Sequence, residues 1–145
     1  MHIQLTVSIY LHEAGVQMAR LSGRTILVVE DDGLIALDLT ATLQSEGAQV
    51  LATADAKGGC AIVHQTAVSV AILDVQLGVG RDCAPICRLL EQQQVPFIFY
   101  TGYRVGGVLE EFPTASVLVK PATKEQLLNC VAEALTSHAP RRRYC

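Results

Sequence analysis

Glu30, Asp31 and Asp32, a lone Asp74, Thr101 and Lys120 are the residues of this chain whose types suit phosphoryl chemistry. Each stands at the end of a short apolar run. Ile26-Leu27-Val28-Val29 leads into the three acids, and Val70-Ala71-Ile72-Leu73 leads into Asp74. Phe97-Ile98-Phe99-Tyr100 leads into Thr101, and Val117-Leu118-Val119 into Lys120 and Pro121. Oxygen-only donors select a hard cation, and Mg²⁺ takes one or two carboxylates, keeps waters and binds phosphate oxygens. If Glu30, Asp31 and Asp74 meet, each close pair repels by up to about 4 kcal/mol at an effective dielectric near 20. A proton or a cation must relieve that repulsion. Lys120 would complete charge neutralisation as a phosphoryl group arrives, and Thr101 offers a hydroxyl donor to one of its oxygens. The nucleophile must then be a carboxylate, since no Ser/His or Cys/His arrangement competes. Asp74 is the best placed, and carboxylates do form aspartyl-phosphate intermediates.

The elements that must position these groups alternate between strand and helix from Arg24 onward, which argues for a parallel α/β sheet with right-handed crossovers. Parallel strands buried on both faces read as continuous Val/Ile/Leu runs. Ligands of such sheets bind outside the carboxyl ends of the strands, where the strand order reverses. In the order 2-1-3-4-5, Asp74 has its partners on both sides. The first helix opens at Asp31 and Asp32, shows Ile35, Leu39 and Leu43 on one face, and stops at Gly47. A second strand is expected near 49–52, a second helix over 56–65 weakened by Gly58-Gly59, and a third strand over 68–73. A third helix over 83–93 follows, then a strand after Pro96 and another over 116–119. The last helix begins with a capping box from Thr123 to Gln126 and turns Leu127, Leu128, Val131, Ala134 and Leu135 inward. The segment 103–113 carries Gly106-Gly107 and the least helical signal.

The chain has 145 residues, half of them hydrophobic and 17% charged, with a net charge of −3. That suits one compact domain and excludes a disordered chain or a basic nucleic-acid binder. Arg141-Arg142-Arg143 reads as part of a solvated basic tail over 139–145. Residues 1–23 form an N-terminal extension in which Ile3, Leu5, Val7, Ile9 and Leu11 alternate with polar residues. This is the pattern of a strand for a sheet edge or a second chain, and equally of an upstream flexible segment. Cys60, Cys83, Cys87, Cys130 and Cys145 match neither a zinc site nor a secreted disulfide framework. Cys83 and Cys87 read as small apolar packers. No apolar stretch is long enough for a bilayer and no signal-peptide pattern opens the chain, so a cytoplasmic protein is expected.

The chain resembles the receiver domain of two-component response regulators. The matching text is ILVVEDD at 26–32, AILDVQLG at 71–78, FYTGY at 99–103 and VLVKP at 117–121. The resemblance covers roughly 24–137, places a receiver domain at 24–138, and implies a flavodoxin-like fold with helices on both faces of a five-stranded parallel sheet. It implies that Asp74 is the phosphoacceptor. Glu30 and Asp31 would be the acidic pair that holds Mg²⁺ or Mn²⁺ together with Asp74 and the backbone carbonyl of Gln76. Thr101 would be the switch hydroxyl, Lys120 the phosphate-binding lysine, and the bond before Pro121 a cis peptide. The implied partners are a sensor histidine kinase or a histidine phosphotransfer protein, and a downstream protein. Neither nucleic acid nor membrane is implied, and a monomer or weak homodimer is expected.

The sequence departs from the family's pattern at two places, and one is the loop after Asp74, which lacks a proline and carries Gly78 and Gly80 instead. Receivers usually carry Tyr or Phe two or three residues before the lysine, where this chain has Val117 and Leu118. Phe99-Tyr100-Thr101-Gly102-Tyr103 is similar to the signature of the FAT GUY receivers, a subgroup that often stands alone, and Tyr103 is a candidate for the missing aromatic. Three functional readings follow. The leading one is a stand-alone phosphoacceptor that signals through protein contacts and is not a classical enzyme. Another is a phosphorylation-independent pseudo-receiver serving as a binding or dimerisation module. An aspartyl-nucleophile phosphohydrolase is disfavoured, because Gln76 stands where such enzymes place a second acid.

Overall fold

The computed structural model describes residues 19–75, 82–102, 107–136 and 144–145. The predicted strand at 3–11, Gln76, Tyr103 and the arginines at 141–143 lie outside the described residues.

Strands β1 (Thr25–Val29), β2 (Gln49–Thr53), β3 (Val70–Leu73), β4 (Phe97–Thr101) and β5 (Ser116–Val119) form one parallel sheet in the order β2-β1-β3-β4-β5. Between them run α1 (Gly33–Ser45), α2 (Ala56–Gln65), α3 (Ala84–Gln92) and α4 (Val108–Glu111), and α5 (Lys124–Thr136) follows β5. This is the flavodoxin-like α/β fold.

Successive strand residues point to opposite faces, so the apolar runs supply two cores at once. Leu27, Val29, Ala71, Leu73, Phe97, Phe99 and Val117 pack with α2, α3 and α4. Ile26, Val28, Val70, Ile72, Ile98, Tyr100 and Leu118 pack with α1 and α5. The inner face expected for the first helix holds, with Leu39 and Leu43 buried and Ile35 packed against them. The last helix buries Leu127, Leu128, Val131 and Ala134 as expected, and Cys130 with them. Its capping box forms. Gln126 N–H donates to Thr123 Oγ1 at 3.1 Å, and Thr123 N–H donates to Gln126 Oε1 at 2.9 Å.

Three local features were not evident from pattern. Leu21, on the extension side of the expected boundary at residue 24, is buried in the α1/α5 core, and its N–H donates to the Glu46 carbonyl. Gly59, expected only to weaken α2, is where that helix meets β1 and α3. A Cβ there would collide with Ile86 Cδ1 and lie 3.1 Å from Val29 Cγ2. The helix following β4 is a single turn of four residues, fixed to α3 by an Arg88–Glu111 ion pair at 2.6 Å.

Candidate functional site

The sheet ladder continues past the formal strand ends and fixes the residues that follow them. Glu30 N–H donates to the Thr53 carbonyl at 3.0 Å, and Asp74 N–H to the Val29 carbonyl at 2.9 Å. Lys120 N–H donates to the Thr101 carbonyl at 2.8 Å. Two acids and one lysine are therefore locked to one rim by main-chain bonds before any side chain acts. The Lys120–Pro121 peptide is cis, as the resemblance implied.

On that rim, one carboxylate oxygen each from Glu30, Asp31 and Asp74 fall within 4.8 Å of one another. Glu30 (3% exposed), Asp74 (6%) and Thr101 (2%) are withdrawn from solvent, whereas Asp31 is exposed. Lys120 reaches across from β5. Its Nζ lies 2.8 Å from Glu30 Oε2 and 3.4 Å from Asp74 Oδ2, and 5.2 Å from the centroid of the Tyr100 ring. The ring's electron-rich face favours a cation at that distance. Glu30 is held from its other side by the Asp32 N–H, which donates to Oε1 at 3.2 Å.

The three consecutive acids divide their work. Asp32 is the N-cap of α1, with Oδ1 accepting from Leu34 N–H at 2.9 Å and Ile35 N–H at 3.2 Å. Glu30 and Asp31 are left on the rim, so the opening of the helix falls to Asp32 alone.

Electrostatics follow from this packing. Burial pushes the Glu30 carboxyl above its ordinary range; the Lys120 ammonium pulls the other way, and Asp74 adds to the upward push. Burial works against the Lys120 charge, but the hydrogen bond to Glu30 and the field of Asp74 outweigh it and raise its pKa. The rim is an acidic cluster with two of its three carboxylates buried, partly neutralised by Lys120, with room in its charge balance for a cation. Its donors are all oxygens and lie at separations a hard octahedral ion can bridge. The residues present fit Mg²⁺, and Mn²⁺ suits the same donor type.

The cysteines stay out of this chemistry. Cys83 and Cys87 are buried in the α3 face, as expected of small packers. The hydrogen bond that the Cys87 thiol donates to Cys83, reinforced by burial, pushes the Cys87 thiol far up. Cys130 and Cys145, by contrast, form a disulfide that the sequence pattern did not reveal. Pairing across 15 positions depends on the fold bringing the two together.

Residues 26–132 match the sequence model of the response regulator receiver domain. The chain is 30% identical over 142 residues to the phyllosphere-induced regulator PhyR of Methylorubrum extorquens, covering 90% of this chain and 51% of PhyR. It thus spans about half the length of that relative. The chemotaxis protein CheY4 of Vibrio cholerae superposes with a TM-score of 0.70 at 24% identity, over 77% of this chain and 98% of that one. A response regulator receiver protein from Burkholderia phymatum gives a TM-score of 0.68 at 26% identity, over 81% and 98% of the respective chains.

Proposed function

The chain belongs to the response regulator receiver domain family of two-component signalling, and on that premise we propose that it accepts a phosphoryl group on Asp74 in a metal-dependent phosphorelay. The observation that carries this reading is the joint placement of a buried Asp74, Glu30 and Asp31 within one ion's reach, and Lys120 at 3.4 Å from Asp74.

In this reading a carboxylate oxygen of Asp74 attacks phosphorus. The bond from phosphorus to the donor breaks, and the donor departs with that electron pair. Asp31 and Asp74, with Glu30 behind them and the Gln76 carbonyl as a further ligand, would hold Mg²⁺. When bound, that ion supplies charge neutralisation and orientation for the phosphoryl oxygens. Lys120 leaves its contact with Asp74 to pair with the new phosphoryl charge, while its bond to Glu30 keeps it at the rim. Thr101, two per cent exposed at the end of β4, donates its hydroxyl to a phosphoryl oxygen. The added charge of about −1.5 to −2 draws Thr101 and Lys120 inward. Each sits at a strand end next to α4 or α5, so the surface those helices build is the one that changes. Tyr103 is the proposed aromatic lever for that change, in the manner of the FAT GUY subgroup. The donor is a sensor histidine kinase or a histidine phosphotransfer protein, and the output is a contact with a downstream protein. The protein is in this reading a self-catalysing acceptor with slow autodephosphorylation.

Intact mass after incubation with acetyl phosphate, with and without Mg²⁺, tests this on wild type and Asp74→Asn. One added phosphate that needs both Mg²⁺ and Asp74 supports the acceptor. Absence of phosphate from acetyl phosphate and from a panel of histidine kinases would favour the pseudo-receiver reading, a binding module that works without phosphorylation.

A further inference from the structure

We propose that Cys130 and Cys145 form a thiol–disulfide site that latches the Tyr144–Cys145 segment onto the open edge of β5 and releases it on reduction by a dithiol. β5 is the outermost strand of the sheet, with β4 on one side only. An open edge presents unpaired main-chain groups that recruit an extended segment. Here the segment comes from the same chain. Tyr144 forms a parallel bridge with Val117, and Cys145 N–H donates to the Val117 carbonyl at 3.0 Å.

The covalent bond adds to these backbone contacts by restricting the conformations open to the segment. Cys130 is anchored in α5 with no solvent exposure, inside the core formed with Leu128 and Val131. Cys145 is exposed, and its Cα lies 5.6 Å from that of Cys130, within the normal span of a disulfide. One half of the bond is therefore anchored in the core and the other belongs to an exposed residue. Thiol exchange needs a half that a reductant can approach, and the exposed residue is the one that offers it.

A thiolate of the dithiol attacks the Cys145 sulfur, the disulfide breaks, and Cys130 leaves as a thiolate that takes a proton. The second thiol then attacks the mixed disulfide, freeing Cys145 as a thiol and closing the reductant into its own disulfide. Two electrons and two protons pass from dithiol to protein. Re-formation needs a disulfide oxidant of the same class.

The test uses the full chain, wild type and Cys145→Ser, equilibrated at set ratios of reduced to oxidised dithiothreitol. Samples are denatured, alkylated with iodoacetamide and weighed, and amide hydrogen exchange is followed at position 145. Of the five cysteines, three are free of the disulfide. The oxidised chain should thus take up three alkyl groups and the reduced chain all five. The amide at 145 should exchange at least tenfold more slowly in the oxidised than in the reduced wild type. In Cys145→Ser it should exchange at the reduced rate in every buffer. Because Cys145 is exposed, that variant leaves the core intact. Five alkyl groups on the chain under oxidising conditions would overturn the proposal, and so would equal exchange at 145 in the two redox states.

Discussion

Lys120 and Glu30, 90 positions apart in the sequence, form the closest ion pair of the acidic rim at 2.8 Å, and the same ammonium lies 3.4 Å from Asp74. Glu30 is thus the closer partner of the lysine, and in the proposed reaction Asp74 is the partner exchanged for a phosphoryl group. Truncating the lysine tests this division. Lys120→Ala leaves two buried carboxyl groups facing each other without a cation. Losing one partner of a buried pair costs about 3–5 kcal/mol when full desolvation applies. Protonation of Glu30 and the partial exposure of Lys120 reduce this to about 1–3 kcal/mol of lost stability in metal-free buffer. Urea unfolding should show that loss, and Mg²⁺ should restore more stability to the variant than to wild type.

The raised pKa of Glu30 sets a pH dependence. A group whose folded pKa lies above its unfolded value contributes stability at low pH and loses it as pH rises through the folded pKa. The metal-free protein should therefore lose melting temperature as pH climbs from below the ordinary carboxylate range through the raised Glu30 value. Mg²⁺ competes with that proton, so its stabilising effect grows over the same window. At a hundredfold excess over Kd the gain is about 2.7 kcal/mol, on the order of 5–10 °C in Tm at neutral pH. Differential scanning fluorimetry at pH 5 and pH 7.5, with and without Mg²⁺, measures it. Glu30→Gln should flatten the metal-free trend. An Mg²⁺ shift as large at pH 5 as at pH 7.5 would contradict the assignment.

Asp31 and Asp32 are neighbours with separable roles. Asp32→Ala removes an N-cap that accepts from two backbone N–H groups, so it should cost about 1 kcal/mol in urea unfolding. It should leave most of the Mg²⁺-dependent Tm shift in place. Asp31→Asn should do the reverse, with little effect on metal-free stability and loss of most of the Mg²⁺ shift. If the two variants behave alike, the division of labour along Glu30-Asp31-Asp32 fails.

How legible these features were depended on the range of the interactions behind them. The strands could be read because a parallel sheet buried on both faces needs unbroken apolar runs. The second helix and the last strand fall on the expected residues, since Asp55 caps the former and flanking turns bound the latter. The acids could be placed on one rim because strand ends and strand order determine where they go. Leu21, the purpose of Gly59 and the Cys130–Cys145 bond were not legible, because each depends on a contact with a distant element and leaves no periodic trace. The switch aromatic also stays an inference from sequence, as Tyr103 lies outside the described residues.

Gly59 gives the sharpest packing test. In an exposed helix, Gly→Ala stabilises by about 1 kcal/mol through backbone entropy. At Gly59 the new methyl would run into Ile86 Cδ1 with Val29 Cγ2 at 3.1 Å, between α2, α3 and β1. Overpacking of that kind costs typically 1–3 kcal/mol, so Gly59→Ala should destabilise by a net amount of about 1–2 kcal/mol. Ile86→Val removes the colliding methyl group and by itself costs about 0.5–1.5 kcal/mol. The double variant should then be more stable than the sum of the two single losses by about 1 kcal/mol, the signature of two groups competing for one space. Urea unfolding of the four proteins closes the cycle. Simple additivity would mean that α2 shifts outward to accept the methyl group and that its approach to α3 is not set by the glycine.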